Sequence, residues 1–148
     1  MKLLAHISDD KTRNQTIEEH LTSTAALAGN FAAAFGAQAE AAYTALLHDI
    51  GKYSAGFQQR LQGGPPVDHS TAGAKAAIQD GNIPAALAIA GHHSGIPDLG
   101  NPHDTADEST LVGRSKRRIE DCSQWKQEIS PAKAALPPWL LRQPDNLT

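Results

Sequence analysis

Apolar positions recur at three- and four-residue intervals along most of the chain and strict alternation is nearly absent, so the pattern predicts helices rather than strands. Asn14, Gln15 and Thr16 offer an N-terminal cap, after which Ile17, Leu21, Thr24, Ala28, Phe31 and Phe35 form a stripe that Gly36 ends. A second helix is expected over residues 38–50, with Ala39, Ala42, Tyr43, Leu46, Leu47 and Ile50 on one side and Gly51 as its stop. Ser54 caps a short third helix through Phe57 and Leu61, before the loop Gly63-Gly64-Pro65-Pro66. A fourth begins at residues 68–70 and ends near Asp80 and Gly81, and Pro84 suits the first turn of a fifth that runs to Gly91 or His93. Beyond a Gly- and Pro-rich loop over 94–107, Asp107 caps a sixth helix striped by Leu111, Ser115, Arg118, Cys122, Trp125 and Ile129. After Pro131, the residues Pro137, Pro138 and Pro144 prevent a long regular element. The expected fold is all-α, a single compact bundle of about six helices.

The 148 residues suit one domain, spanning 1–148, large enough to bury a core. With 13 Lys and Arg against 16 Asp and Glu, the net charge of −3 argues against a broad nucleic-acid-binding face. The short basic cluster Arg114, Lys116, Arg117 and Arg118 reads first as a solvated helix face and second as a strand-guiding edge. The single cysteine, Cys122, excludes an internal disulfide and a Cys-based zinc cluster; on its apolar stripe it reads as buried and inert. The Ala-rich stretch 25–47 is interrupted by Asn30, Gly36, Gln38 and Glu40 and does not predict a membrane span, so a cytoplasmic location is expected. Trp125 and Trp139 read as core or docking aromatics.

Five of the seven histidines fall into an ordered pattern at expected helix ends. His48 is followed by Asp49 in Leu46-Leu47-His48-Asp49-Ile50-Gly51-Lys52, His69 sits in Asp68-His69-Ser70, and His92-His93 closes an Ala-rich helix, with His20 on the first helix. Neutral imidazole and carboxylate are the ligands taken by divalent iron, manganese, cobalt, nickel and zinc. Two such ions about 3.5–4 Å apart, bridged by a carboxylate, would activate water and clamp a phosphodiester, so phosphate-ester hydrolysis is the reaction class that fits. His92-His93 serves this purpose only if the helix frays there, as Ser94-Gly95 favours. Asp68 reads as a cap or as an orienter of His69. Lys52 either brings an ammonium to phosphate oxygens or complements the helix dipole. His6 and His103 have no partner in the pattern and read as structural or surface residues.

At these residues the chain resembles the HD phosphohydrolase superfamily, and more narrowly the HD nuclease domain of the CRISPR-associated helicase-nuclease of type I systems. The resemblance covers about residues 4–100, through Leu4-Ala5-His6, Glu19-His20-Leu21, the His48-Asp49-Ile50-Gly51-Lys52 string, Phe57-Gln58, Asp68-His69-Ser70 and Gly91-His92-His93-Ser94-Gly95. It implies a two-metal site: His20, His48 and Asp49 for a first ion, and His69, His92 and His93 for a second, with Asp49 bridging. Asp49 and Lys52 would carry the catalysis, Lys52 beside the scissile phosphate. The resemblance also implies iron, manganese, cobalt or nickel as cofactor. The implied substrate is single-stranded DNA, and the implied partners are the RNA-guided surveillance complex and a helicase domain or subunit.

One departure matters. The family's later helix carries an Asp in a Ser-x-Leu-x-Asp-Ala-Asp-like string that completes the first ion's shell, and none of Asp104, Asp107, Asp121 or Asp145 stands in that context. The chain thus reads as an HD domain without that last helix and without the helicase, binding its first ion more weakly than its second. Two rivals are an HD phosphodiesterase acting on a small cyclic nucleotide and a catalytically silent, metal-bearing docking module. Against the first, Ser94-Gly95-Ile96-Pro97 follows the His-His pair where that group has Glu and a Gly-Tyr-Pro string.

Overall fold

A computed structural model describes residues 1–132. Pro137, Pro138, Trp139, Pro144 and Asp145 lie outside the described residues. The chain opens with an antiparallel hairpin, β1 (Leu4–Ile7) and β2 (Asn14–Thr16), paired Leu4 with Thr16 and His6 with Gln15. Seven α-helices follow among the described residues: α1 (Ile17–Ala32), α2 (Gln38–Leu47), α3 (Ala55–Leu61), α4 (Thr71–Gln79), α5 (Ile83–Gly91), α6 (Leu111–Ser115) and α7 (Trp125–Glu128). The helical bundle is as expected, with two differences. The hairpin adds two strands to the expected all-α fold, and these strands are too short to display alternation. The expected sixth helix is two short pieces, α6 and α7, and Thr110 rather than Asp107 caps the first, its Oγ1 accepting from Gly113 N at 3.0 Å.

Local chemistry fixes the helix ends that matter. Thr16 and Glu19 form a reciprocal capping box at the start of α1, with Thr16 Oγ1 accepting from Glu19 N at 3.1 Å and Glu19 Oε2 accepting from Thr16 N at 2.9 Å. This sets where the helix begins and places His20 one turn in. Ser54 caps α3 and Asn82 caps α5, each accepting from the backbone three residues on. Asp68 Oδ1 accepts from Ser70 N and Thr71 N, so it holds the entry to α4 as a cap.

Ile17, Leu21, Tyr43, Leu47, Ile50, Ile89 and Leu111 are the large side chains at the centre of the core, where α1 packs on α2 and α4 on α5. The inner face of α1 is Ile17, Leu21, Ala25 and Ala32. Phe31 and Phe35, expected on that stripe, are 75% and 76% exposed. Near the helix end the buried face lies one position on, at Ala32. Cys122 is buried in the core, and burial pushes its thiol pKa up, in keeping with an inert role. Trp125 packs against the core from its edge.

Two glycines permit the close approach of backbones. A Cβ on Gly73 would collide with the carbonyl of Leu47, so α4 lies directly on the end of α2. A Cβ on Gly51 would collide with the carbonyl of His69. Gly51 is therefore less a helix stop than the point where the turn after α2 touches the segment leading into α4.

Candidate metal centre

Six side chains converge from the ends of four helices. His20 projects from the first turns of α1, His48 is the residue that ends α2, and Asp49 follows with φ −119° and ψ 21°, outside the helix. The expected helix over 38–50 thus stops at Leu47, and a 3-10 turn over Ile50–Tyr53 takes its place. His69 precedes α4. His92 ends α5 and His93 follows it, the chain being turned back by Gly95 with φ +90°. The helix does end before the His-His pair, which leaves both imidazoles free to face the centre.

Asp49 lies at the middle and is only 3% exposed. Its Oδ2 is 2.9 Å from His20 Nε2, 3.1 Å from His48 Nε2 and 3.0 Å from Lys52 Nζ. Its Oδ1 is 3.3 Å from His92 Nε2 and 3.4 Å from His69 Nε2, and His69 Nε2 is 2.8 Å from His93 Nε2. Two groups of ligand atoms result, each within 4.8 Å of one another: His20, His48 and Asp49, and Asp49, His69, His92 and His93. Neighbouring rings run in an arc, His20 to His48 at 5.1 Å, His48 to His92 at 5.2 Å and His92 to His93 at 4.0 Å.

The outer nitrogens decide what the inner ones can do. His48 Nδ1 donates to Ala45 O at 2.6 Å, His92 Nδ1 to Ile89 O at 2.7 Å, and His69 Nδ1 to Val67 O at 3.2 Å. In the neutral imidazole, a proton on Nδ1 leaves a lone pair on Nε2. Each of these lone pairs faces a carboxylate oxygen, an arrangement stable only with a proton or a metal cation between them. Asp49 Oδ1 is buried and has no hydrogen-bond partner among the described residues, which by itself would cost about 1–3 kcal/mol. Backbone-anchored imidazoles around a shared, orphaned carboxylate oxygen are what a divalent transition metal needs. The residues present fit the ion.

Titration directions agree. Burial pushes the Asp49 carboxyl up, but the imidazoles of His20, His48 and His92 outweigh it and hold the group far below the usual carboxylate range. Contact with Asp49 raises His92, whereas burial lowers His69 and, together with neighbouring His92, lowers His93.

Two further residues support this centre: His6, which is exposed as a surface residue should be, and Arg114, which departs from its sequence expectation. His6 comes from β1 to lie 4.8 Å from the His20 ring, with Nε2 3.4 Å from Lys52 Nζ. It could be found only by recognising the hairpin. The signal lay in the Ser8-Asp9-Asp10 turn, where Asp10 accepts from Thr12 N. Arg114, grouped with a solvated basic face, is 8% exposed. Its Nη1 donates to Ala90 O at 2.5 Å and its Nη2 to Ser70 Oγ at 2.7 Å and Thr71 Oγ1 at 3.0 Å. It thereby ties the residue after His69 to the turn of α5 that leads into His92. Lys116 and Arg117 also donate to backbone carbonyls, those of Pro102 and Ala106, while Arg118 is exposed.

Lys52, Phe57 and Gln58 form a brace beneath the centre. Gln58 bridges Leu4, its Oε1 accepting from Leu4 N at 3.2 Å and its Nε2 donating to Leu4 O at 2.9 Å, and it also donates to Lys52 O. Phe57 meets the His69 ring edge-on at 5.1 Å and lies 5.2 Å beneath the Lys52 ammonium. His103 is exposed and belongs to neither ligand group among the described residues.

The centre opens on both sides. His69 and His93 line a cleft of about 800 Å³ with Ser70, Ser94, Asp98 and Arg117. His48 and His92 line a more apolar one of about 490 Å³ with Ala28, Ala41, Ala45 and Ala88. No helix among the described residues is long and apolar enough to cross a membrane. Comparison with curated proteins and with solved structures gives no match. A family model described as the HD domain matches residues 17–125, a span that holds every residue of both ligand groups. This chain belongs to the HD domain family.

Proposed function

We propose that this HD domain is a metal-dependent phosphodiesterase that cuts single-stranded DNA as the nuclease of a type I CRISPR interference system. The observation that carries the hydrolytic reading is the buried Asp49 carboxylate, with one oxygen toward His20 and His48 and the other toward His69 and His92. The nucleic-acid reading draws its support from the motif series, which ends in His92-His93-Ser94-Gly95, and from clefts on both sides of the centre across which a strand could lie.

In this reading His20, His48 and Asp49 would hold one divalent ion, and Asp49, His69, His92 and His93 the other. When bound, such ions supply Lewis-acid activation of water and neutralise phosphate charge. The chain's own residues do the rest. Asp49 stays ionised throughout, because the surrounding imidazoles hold its proton affinity down. The backbone carbonyls of Ala45, Ile89 and Val67 keep the Nε2 lone pairs of three histidines aimed inward. Lys52, buried against Asp49, reaches a substrate phosphate only by leaving that carboxylate. With a net charge of −3 and most of the 114–118 cluster tied to backbone, the domain relies on a helicase or surveillance complex to deliver the strand.

The test offers single-stranded DNA, single-stranded RNA and cyclic dinucleotides side by side, with manganese and with chelator. Metal-dependent cutting of DNA is the expected result. Turnover of the cyclic dinucleotide alone would place the protein among small-nucleotide phosphodiesterases, and no turnover of any substrate with metal retained would make it a docking module.

A further inference from the structure

The two oxygens of Asp49 are not equivalent, and the difference lies in a fixed positive charge. Lys52 Nζ sits 3.0 Å from Oδ2, the oxygen shared with His20 and His48, and the residue is 4% exposed. The ammonium is also braced by His6 Nε2 at 3.4 Å and by the face of Phe57. No such charge meets Oδ1, which has no hydrogen-bond partner among the described residues. The first ligand group therefore already holds a cation of the protein's own, while the second presents a carboxylate oxygen faced by the imidazoles of His69 and His92 and by no ammonium.

We infer that Lys52 is a built-in counter-ion of the first ligand group, which makes the centre bind one divalent ion tightly, at Asp49, His69, His92 and His93, and a second only weakly. This rests on the reading of the cluster as a metal centre and goes beyond it by naming the residue that sets the order and stoichiometry of loading. The physical ground is direct. A unit charge a few ångströms from a divalent ion in a buried, weakly screened site opposes that ion strongly. Lys52 is itself buried, its ammonium held by Asp49, His6 and the Phe57 ring. The first group also has a single carboxylate oxygen with which to balance both charges.

The experiment counts ions. Purified full-length protein is titrated with manganese, and bound metal is read by paramagnetic resonance and by elemental analysis after desalting, alongside Lys52→Met, Lys52→Gln, His93→Ala and His20→Ala. Wild type should retain one equivalent, with a second affinity weaker by at least about tenfold. Both Lys52 variants should tighten the weaker affinity by about tenfold or more and retain close to two equivalents. The tight ion should be lost in His93→Ala and kept in His20→Ala. Two equally tight ions in wild type overturn the inference, as does a folded Lys52→Gln whose weaker affinity is unchanged, or loss of the tight ion in His20→Ala alone. Failure of every variant and of wild type to bind any ion overturns the metal-centre reading as well. Thermal melts accompany each titration, and Lys52→Gln keeps a donor toward Asp49, so a misfolded Lys52→Met does not decide the outcome.

Discussion

The two halves of the centre are built by different means. The half around His20, His48 and Lys52 rests on α1, the end of α2 and the hairpin, and its charge is balanced within the protein. The half around His69, His92 and His93 rests on loop residues at helix ends, and its carboxylate oxygen faces imidazoles with no hydrogen-bond partner among the described residues. What keeps those loop residues in place is Arg114, reaching in from α6 to Ala90, Ser70 and Thr71. A self-compensated site can be rigid without a ligand, whereas an uncompensated one stores affinity for a cation. Asp49 serves both at once, which is why a single carboxylate can organise the ligand atoms of five histidines.

Removing the shared carboxylate should erase the distinction altogether. Asp49→Asn is expected to lose both ions, to reduce metal-dependent hydrolysis by on the order of a thousandfold or more, and to leave Lys52 buried without its partner at a cost of about 3–5 kcal/mol. Elemental analysis and a denaturant melt would measure the two effects, and retention of bound metal would contradict Asp49 as the bridge.

Cutting the Arg114 clamp should break one half only. Arg114→Met removes several hydrogen bonds made by a buried charged group, each worth about 1.5–3 kcal/mol, and should weaken the His69, His92 and His93 group while sparing His20 and His48. If manganese affinity is unchanged and only DNA binding falls, Arg114 is a strand contact after all and the clamp is wrong. Reversing the whole 114–118 cluster to acids is therefore not a clean test of strand guidance, and Arg118→Glu alone is the better one.

Acid should act on the second half through His92. Its pKa is raised by Asp49, so in metal-free protein the protonated pair contributes stability below the ordinary histidine pKa and loses it as pH rises through the raised value. Metal needs the neutral ring, so affinity at this group should climb as His92 gives up its proton. His69 and His93, lowered by burial, have lost theirs at lower pH. A thermal-shift series with and without manganese over roughly pH 5 to 8 should show metal stabilisation growing with pH; a flat profile would remove His92 from the ligand set.

The smallest effect belongs to α1's outer face. Phe31→Ser and Phe35→Ser should change stability by no more than about 0.5 kcal/mol and leave both ligand groups intact, since these rings are exposed. A loss of several kcal/mol would restore them to the core.

Helix spacing, caps and breakers were legible along the chain because they are local: Thr16 with Glu19, Ser54 and Asn82 act within one turn of themselves. The His-Asp pattern likewise marked six of the side chains that meet. Short-range signals failed where the deciding contact was remote. Residues 111–129 carry a helical stripe, yet they break into α6 and α7 with Cys122 and Ile129 in the core between and after them. The basic run reads as solvent-facing, and only the packing of α6 on α4 and α5 turns Arg114 inward.

The sequence by itself determined a helical, His- and Asp-bearing domain of the HD family, since capping, periodicity and ligand chemistry depend on residues close in the chain. Tertiary structure alone decided that Gly51 lets His69 approach Asp49, that Arg114 and His6 join the centre, and that Lys52 covers one carboxylate oxygen while the other faces only imidazoles. Those facts depend on distances between segments separated by tens of residues, and a buried charge acquires its meaning only from what is packed around it.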